Sequence, residues 1–176
     1  MKKGLVHVYT GDGKGKTTCA VGLAIRACGC GYDVKIFQFC KGVPSGELQS
    51  IGKLPHIQLF RDDCQLKKFA WDMTSEEKQV WIEAQQALFD DACEAAQDPN
   101  TDMVIMDEVL GAMHAGAIDL SQLKYLILHK YHGTELVLTG RAAPAALFEF
   151  ADYVTEMKPI KHPLERGIDA RRGVEF

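Results

Sequence analysis

The sequence predicts an α/β protein in which a mostly parallel β-sheet lies between two layers of helices. Short apolar runs typical of buried strands alternate along the chain with longer runs of helical periodicity. A glycine-rich loop joins the first apolar run to the first helical run, and a later apolar run ends in two adjacent carboxylates. Because 176 residues can bury one core, we predict a single domain over residues 1–176.

The glycine-rich loop lies between a predicted strand and a predicted helix, as a phosphate-binding loop requires. Lys16 can then offer its charge to phosphate, and the Thr17 hydroxyl can bind Mg²⁺. Thr10 stands where the usual pattern begins with glycine, and an ordinary glycine turn is the alternative interpretation. The context favours the P-loop NTPase (RecA-like) three-layer α/β/α fold. The predicted nucleotide-binding residues of the loop are Gly11, Asp12, Gly13, Lys14, Gly15, Lys16, Thr17 and Thr18.

The first strand, helix and second strand follow from local composition. Residues 5–9 are apolar and β-branched, residues 17–30 are small and apolar before a glycine-rich end, and residues 34–39 are again apolar. Lys41 and Glu47 belong to a predicted loop at the carboxyl end of this second strand. Ligands bind at that edge of an open α/β sheet, so both are candidate nucleotide-site residues, although a solvated ion pair would give the same pattern.

The middle of the chain is less regular. Residues 56–60 form a short predicted strand, and a polar loop over residues 61–71 carries Phe69 and Trp71. These two aromatic residues either bind a ligand or partner or cover the edge of the core, and their spacing favours neither interpretation. A helix with a capping box begins at residue 74 and continues to residue 99.

The apolar run 102–106 ends in Asp107 and Glu108. A carboxylate at the end of such a strand helps to hold Mg²⁺ in P-loop proteins, and the hard Mg²⁺ ion prefers oxygen ligands. We therefore predict that Thr17 and at least one of these two acids bind the metal. Capping of the following helix is the alternative role for the acids.

The remaining elements are a helix over residues 120–128, a strand over residues 135–139, a helix over residues 145–150 and a strand over residues 153–157. Arg141 follows the 135–139 strand, where its guanidinium can reach phosphate. Residues 158–176 are rich in Lys, Arg, His and Gly without a core pattern. We expect this tail to fold over the site or a partner.

Composition limits the environment and the partners. The net charge of −4 argues against a nucleic-acid partner. No signal sequence or membrane-spanning run is present, so we expect a cytoplasmic protein that does not bind membranes. The cysteines show no metal-binding spacing and lie mostly in apolar runs, so we expect reduced core thiols rather than disulfides. They are Cys19, Cys28, Cys30, Cys40, Cys64 and Cys93.

Several motifs taken together resemble the P-loop type of cob(I)alamin (corrinoid) adenosyltransferase, whose members include cob(I)yrinic acid a,c-diamide adenosyltransferases. The resemblance extends over nearly the whole chain, and the loop and tail motifs together are its most specific part. The matching motifs are residues 11–18, residues 38–42 with Gly46 and Glu47, Asp107 with Glu108, residues 139–141, and the tail motifs at 161–163, 167–168 and 173–176.

The resemblance implies transfer of the 5′-adenosyl group of ATP to the Co(I) centre of a corrinoid such as cobalamin or cobinamide, with release of triphosphate. It implies Lys16 as a catalytic residue, Mg²⁺ as cofactor, and charge stabilisation by Lys14, Lys41 and Arg141. Phe69 and Trp71 match the aromatic residues that remove the lower axial ligand before Co(II) is reduced. It further implies a reversed nucleotide, a reduced flavoprotein as electron donor, and a homodimer.

Two other functions remain compatible with the loop. A small-molecule P-loop kinase would also need Lys16, Thr17 and a carboxylate, but no arginine-rich lid or acceptor-binding base is recognisable. A non-catalytic ATP-binding switch or a RecA-like motor subunit would instead hydrolyse ATP or assemble into rings.

Overall fold

The computed structural model describes residues 3–41, 46–62 and 72–175. In these parts of the chain strands and helices alternate, except that two helices lie between the fourth and fifth strands, and a short 3-10 helix (Pro163–Arg166) interrupts the tail. The elements are, in order, β1 (Val6–Thr10), α1 (Lys16–Gly29), β2 (Val34–Gln38), α2 (Glu47–Ile51), β3 (Ile57–Arg61), α3 (Ser75–Gln97), β4 (Met103–Asp107), α4 (Val109–His114), α5 (Leu120–His129), β5 (Glu135–Thr139), α6 (Ala145–Phe148) and β6 (Tyr153–Glu156).

The six strands form one sheet in the order β3-β2-β4-β5-β1-β6, and every pairing is parallel. Strand β5 therefore lies between β1, which leads into the glycine-rich loop, and β4, which ends in the acidic pair. All three strands end at the same edge of the sheet. The arrangement is the predicted α/β P-loop NTPase fold.

The core consists of two apolar layers, one on each face of the sheet. Val104 and Met106 of β4 face the cluster that includes α3 and α5, whereas Met103 and Ile105 face the cluster that includes α1. Successive side chains of a strand point to opposite faces, so a strand covered by helices on both sides is apolar throughout. This explains why the sequence of β4 is apolar at successive positions from Met103 to Met106.

The predicted strands and α-helices agree with the observed ones to within one or two residues, with two exceptions. First, the prediction that the loop after β2 continues through Glu47 is wrong, because Glu47 is the first residue of the short helix α2. Helix α4 was not predicted, since six residues are too few for a helical period to be recognised. The capping box at the start of α3 is confirmed, with Thr74 and Glu77 bonded reciprocally.

The expectation that the cysteines are core residues is wrong for Cys19, Cys30 and Cys40, which are exposed, whereas Cys28 and Cys93 are half-buried and pack against the two core clusters. The buried face of α1 consists of Ala20, Ala24 and Ala27, spaced so that neighbouring residues turn away from the sheet. The described cysteines are free thiols, three of them exposed and two half-buried; Cys64 lies outside the described residues. They are Cys19, Cys28, Cys30, Cys40 and Cys93.

None of the helices described here is long and apolar enough to cross a lipid bilayer.

Candidate functional site

The loop between β1 and α1 depends on glycine for its backbone conformation. Gly11 has a φ of 98° and Gly15 a φ of 117°, in a region that side chains with a Cβ rarely adopt. The Lys16 ammonium lies across the loop and donates to the carbonyl oxygens of Gly11 (2.6 Å) and Gly13 (2.9 Å). Burial lowers the pKa of Lys16. The loop thus holds a partly desolvated cation beside the start of α1.

Two of the loop glycines also allow close contact with the end of β6. A Cβ at Gly11 would lie 2.5 Å from the Met157 carbonyl oxygen, and one at Gly13 would lie 2.6 Å from the same atom. The Gly13 N–H donates to this oxygen over 2.7 Å. Thr10, at the unusual first position of the motif, is buried and accepts a hydrogen bond from the Ala143 N–H (3.0 Å). Its side chain therefore joins the loop to the segment after β5.

Asp107 joins the ends of four elements at the site. Its side chain is buried and accepts hydrogen bonds on Oδ1 from the hydroxyls of Thr17 (2.9 Å) and Thr139 (2.8 Å). Its Oδ2 atom lies 3.3 Å from the Lys41 ammonium and 3.4 Å from the Gln38 amide nitrogen. Because these partners come from α1, β5 and the end of β2, the Asp107 carboxylate links the ends of these elements at the edge of the sheet next to the glycine-rich loop.

Glu108 differs in environment from its neighbour. It adopts a left-handed conformation (φ 63°) at the N-cap of α4, and its N–H donates to the Thr139 hydroxyl over 2.8 Å. Its side chain makes no capping hydrogen bond, and the carboxylate of Asp107 is directed to the partners described above. Neither carboxylate therefore caps α4. Burial, and secondarily the charge of Asp107, raises the pKa of Glu108.

The residues around Asp107 fit a magnesium ion in their chemistry. A hydroxyl and a carboxylate oxygen, from Thr17 and Asp107, are already in contact, and both are ligand types that Mg²⁺ prefers. Among the described residues the Gln38 Oε1 atom is buried without a hydrogen-bond partner, so it is free to accept from a metal-bound water. The described part of the chain contains no cluster of three or more His, Cys, Asp or Glu side chains that could hold a metal ion.

A cavity of about 940 Å³ opens in front of the glycine-rich loop. Among the residues predicted from sequence, those of the loop from Asp12 onward line this cavity together with Lys41, Glu108 and Arg141. Asp107 lies buried behind Thr17. The sheet topology therefore brings together side chains that are up to 129 residues apart in sequence.

Some predicted site residues are not part of this arrangement. Gly11 contacts Met157 and Lys16 rather than the cavity, and Glu47 begins α2 outside the cavity lining. Phe69 and Trp71 lie outside the described residues.

Further cavity residues were not predicted as functional. Trp81 was predicted as core and is buried, but it also lines the cavity. Cys40 belongs to the 38–42 motif and could have been found from its place just after β2, whereas His162, Val174 and Glu175 belong to the tail motifs, to which no individual roles were assigned. The additional lining residues are Cys40, Lys78, Trp81, Gly111, His114, Ala115, His162, Val174 and Glu175.

Comparison with known proteins identifies the family. The model of the family described as ATP:corrinoid adenosyltransferase BtuR/CobO/CobP matches residues 2–176. A corrinoid adenosyltransferase from Sinorhizobium sp is 39% identical, with 99% of this chain and 81% of that protein covered. A corrinoid adenosyltransferase from Escherichia coli K12 is 32% identical (99% and 87% covered), and one from Pseudomonas aeruginosa is 33% identical (99% and 85% covered).

These matches agree with the geometry of the site. The family match spans nearly the whole chain, including the loop, the acidic pair and the tail that meet at the cavity. The protein is an enzyme of the transferase class and belongs to the ATP:corrinoid adenosyltransferase BtuR/CobO/CobP family.

Proposed function

We propose that the protein transfers the 5′-adenosyl group of ATP to the Co(I) centre of a corrinoid and releases triphosphate, in the synthesis or salvage of adenosylcobalamin. The observation that carries the proposal is the position of Asp107. This buried acid is bonded to Thr17 at the start of α1 and to Thr139 at the end of β5, directly behind a cavity lined by the phosphate loop. The relatives named corrinoid adenosyltransferase support the substrates.

The cations of the cavity have a defined task in this reaction. A triphosphate leaving group develops negative charge as its bond to the 5′ carbon breaks, and fixed positive groups stabilise that charge. Lys16 and the loop N–H groups would bind the phosphates from one side, and Lys14, Lys41 and Arg141 from the cavity wall. Lys16 is held by two carbonyl oxygens, so its charge is preorganised for this role.

Thr17 and Asp107 would hold Mg²⁺, with Glu108 beside them as a further oxygen donor. The ion, when bound, neutralises phosphate charge. Burial raises the pKa of Glu108, and a cation bound beside it would favour its ionised form. Thr139 keeps Asp107 oriented through the bond between its hydroxyl and Oδ1.

The transfer itself needs no general base. The electron pair of Co(I) attacks the 5′ carbon, the cobalt–carbon bond forms, and the bond from that carbon to the phosphate oxygen breaks with its electrons leaving on triphosphate. The nucleotide must therefore present its ribose carbon, and not its γ-phosphate, to the acceptor. We propose the reversed orientation for this reason, with Phe69 and Trp71 removing the lower cobalt ligand.

The proposal also includes the partners of the reaction. Co(II) must gain one electron before transfer, and a reduced flavoprotein is the proposed donor. We propose that the enzyme acts in the cytoplasm as a homodimer. The family membership supports the corrinoid and the nucleotide as substrates.

The decisive experiment mixes the protein with MgATP and chemically reduced cob(I)alamin. Formation of the cobalt–carbon bond is followed by absorbance, and the phosphate products are separated by ion exchange. We expect an adenosylated corrinoid and one triphosphate for each corrinoid consumed. ADP as product, or ATP hydrolysis without a cobalt–carbon bond, would contradict the proposal and favour a kinase or a switch protein.

A further inference from the structure

The last described residues return to the phosphate loop. The Lys14 ammonium donates hydrogen bonds to the Val174 carbonyl oxygen (2.9 Å) and to Glu175 Oε1 (3.0 Å). Lys14 and Glu175 both line the cavity in front of the loop. The contact therefore links two parts of the chain 161 residues apart at the place where phosphate would bind.

Glu175 is itself held in place by Arg171. The Arg171 backbone N–H donates to Oε2 over 2.8 Å, and its guanidinium donates to both carboxylate oxygens over 3.2 Å and 3.1 Å. These bonds, and next the bond from Lys14, lower the pKa of Glu175 to about 2. The carboxylate therefore stays ionised across the physiological pH range, and the contact does not depend on pH there.

We propose that Glu175 is a positioning residue for polyphosphate binding, which fixes the Lys14 ammonium at the mouth of the phosphate loop. The inference rests on the proposed function only in that the loop binds the phosphate chain of a nucleotide. It gives the C-terminal segment a task in substrate binding that the loop sequence alone does not show.

Lys14 needs such support because little else orders its side chain. Its side chain is 48% exposed, and an ammonium on a flexible stem loses rotamer freedom when it is held by a ligand. The tail already restricts the Lys14 side chain before the nucleotide binds, so the entropic cost of ordering this side chain does not reduce the affinity for the nucleotide. Two of the three ammonium N–H groups are occupied by the tail, and the third can donate to phosphate.

A competing interpretation makes Glu175 a phosphate mimic that blocks the loop. The charges argue against it, because Arg171 and Lys14 together leave the cluster with one net positive charge after Glu175 is counted. The carboxylate is also turned into protein contacts, with its side chain 23% exposed. An anion that binds Lys14 therefore approaches a cationic cluster, and not an unmatched carboxylate.

The test is a double-mutant cycle on Lys14 and Glu175. Dissociation constants for MgATP, and separately for magnesium triphosphate, are measured by isothermal titration calorimetry for the wild type, Glu175→Gln, Lys14→Met and the double variant. We expect Glu175→Gln to weaken binding about fivefold, as for the loss of an exposed ion pair. We expect Lys14→Met to weaken it about tenfold or more, and the double variant to bind no more weakly than Lys14→Met.

The matched control is Glu165→Gln, which removes the same charge from an exposed position of the same tail. Among the described residues the Glu165 carboxylate makes no hydrogen bond or ion pair, so both affinities should remain unchanged. Melting temperatures are recorded for every variant. If Glu175→Gln unfolds, Arg171→Met takes its place, and a twofold to fivefold loss of affinity is expected because Glu175 is then less well held.

Three results would overturn the proposal. The first is an affinity of Glu175→Gln that equals or exceeds that of the wild type. The second is a loss of affinity on adding Glu175→Gln to Lys14→Met that is as large as the loss on adding it to the wild type. The third applies if Arg171→Met is used in place of Glu175→Gln and binds like the wild type. These binding measurements need no corrinoid. If Lys14 and Glu175 are coupled in binding but the protein does not adenosylate cob(I)alamin, only the proposed function is contradicted. If the protein adenosylates cob(I)alamin but the two residues are not coupled in binding, only this inference is contradicted.

Discussion

Thr139 offers the sharpest test of the site geometry. Its hydroxyl is buried and connects both acids, because it donates to Asp107 Oδ1 over 2.8 Å and accepts from the Glu108 N–H over 2.8 Å. Thr139→Val keeps the shape of the side chain and removes both bonds. We expect a less stable protein in which Asp107 is no longer held toward Thr17.

The magnitude follows from the two lost bonds. A hydrogen bond to a charged group contributes about 1.5–3 kcal/mol, and the bond from the partly buried Glu108 N–H contributes about 0.5–1.5 kcal/mol. We therefore expect a loss of about 2–4 kcal/mol in the free energy of unfolding. For a domain of this size the melting temperature should fall by roughly 10 °C. Transfer should fall about 10–100-fold, as for loss of a group that orients a metal ligand.

Thr134→Val is the matched control. Thr134 precedes the opposite end of β5, is equally buried, and its hydroxyl donates one bond to the Thr101 carbonyl oxygen over 3.1 Å. This neutral bond is worth about 1 kcal/mol, and its loss should leave transfer unchanged. Melting is followed by circular dichroism and transfer by absorbance. Equal melting temperatures and equal transfer rates for the two variants would refute the argument that Thr139 orients Asp107.

The remaining predictions concern residues that are proposed to bind the substrates or the metal ion. Lys16→Ala should lower transfer at least about 100-fold without lowering the melting temperature, since it removes preorganised charge and no core contact; a loss of only a few-fold would contradict its catalytic role. Asp107→Asn should raise the Mg²⁺ concentration needed for half-maximal transfer, and an unchanged Mg²⁺ titration would exclude a metal ligand. Replacing Phe69 and Trp71 together by Ala should impair transfer from Co(II) with a reductant far more than transfer from chemically supplied Co(I). Equal losses in both assays with a lowered melting temperature would indicate a structural role.

The sequence predicted the elements well where the signal is local. The capping box at Thr74 marks the start of α3, and the strand over residues 135–139 was predicted with the bounds that the structure has. Both signals depend on residues that are neighbours in the chain. The tail was recognised as lacking a core pattern, but its contact with Lys14 involves residues 160 or more positions apart, which no local pattern contains.

The order of the strands is the main feature that local patterns could not supply. Because β5 lies between β1 and β4, Thr139 reaches Asp107, and the segment after β5 reaches Thr10. The sequence motif 139–141 was noted, but no role for the Thr139 hydroxyl followed from it. The expectation of a core position was wrong for Cys19 for a related reason, since an apolar neighbourhood does not tell which helix face a residue occupies.

The charges of the site indicate how an incoming polyphosphate would be received. Three lysines that are proposed to bind phosphate already have acceptors within the protein: Lys14 has Glu175, Lys16 has two loop carbonyl oxygens, and Lys41 has Asp107. Arg141 is exposed at the cavity, and in the described part of the chain it has neither a hydrogen bond nor an ion pair. A phosphate group can therefore bind Arg141 without displacing a protein contact, whereas each lysine binds phosphate beside the acceptor that it already has. The affinity of the site therefore depends on the residues that hold the lysines as well as on the lysines themselves.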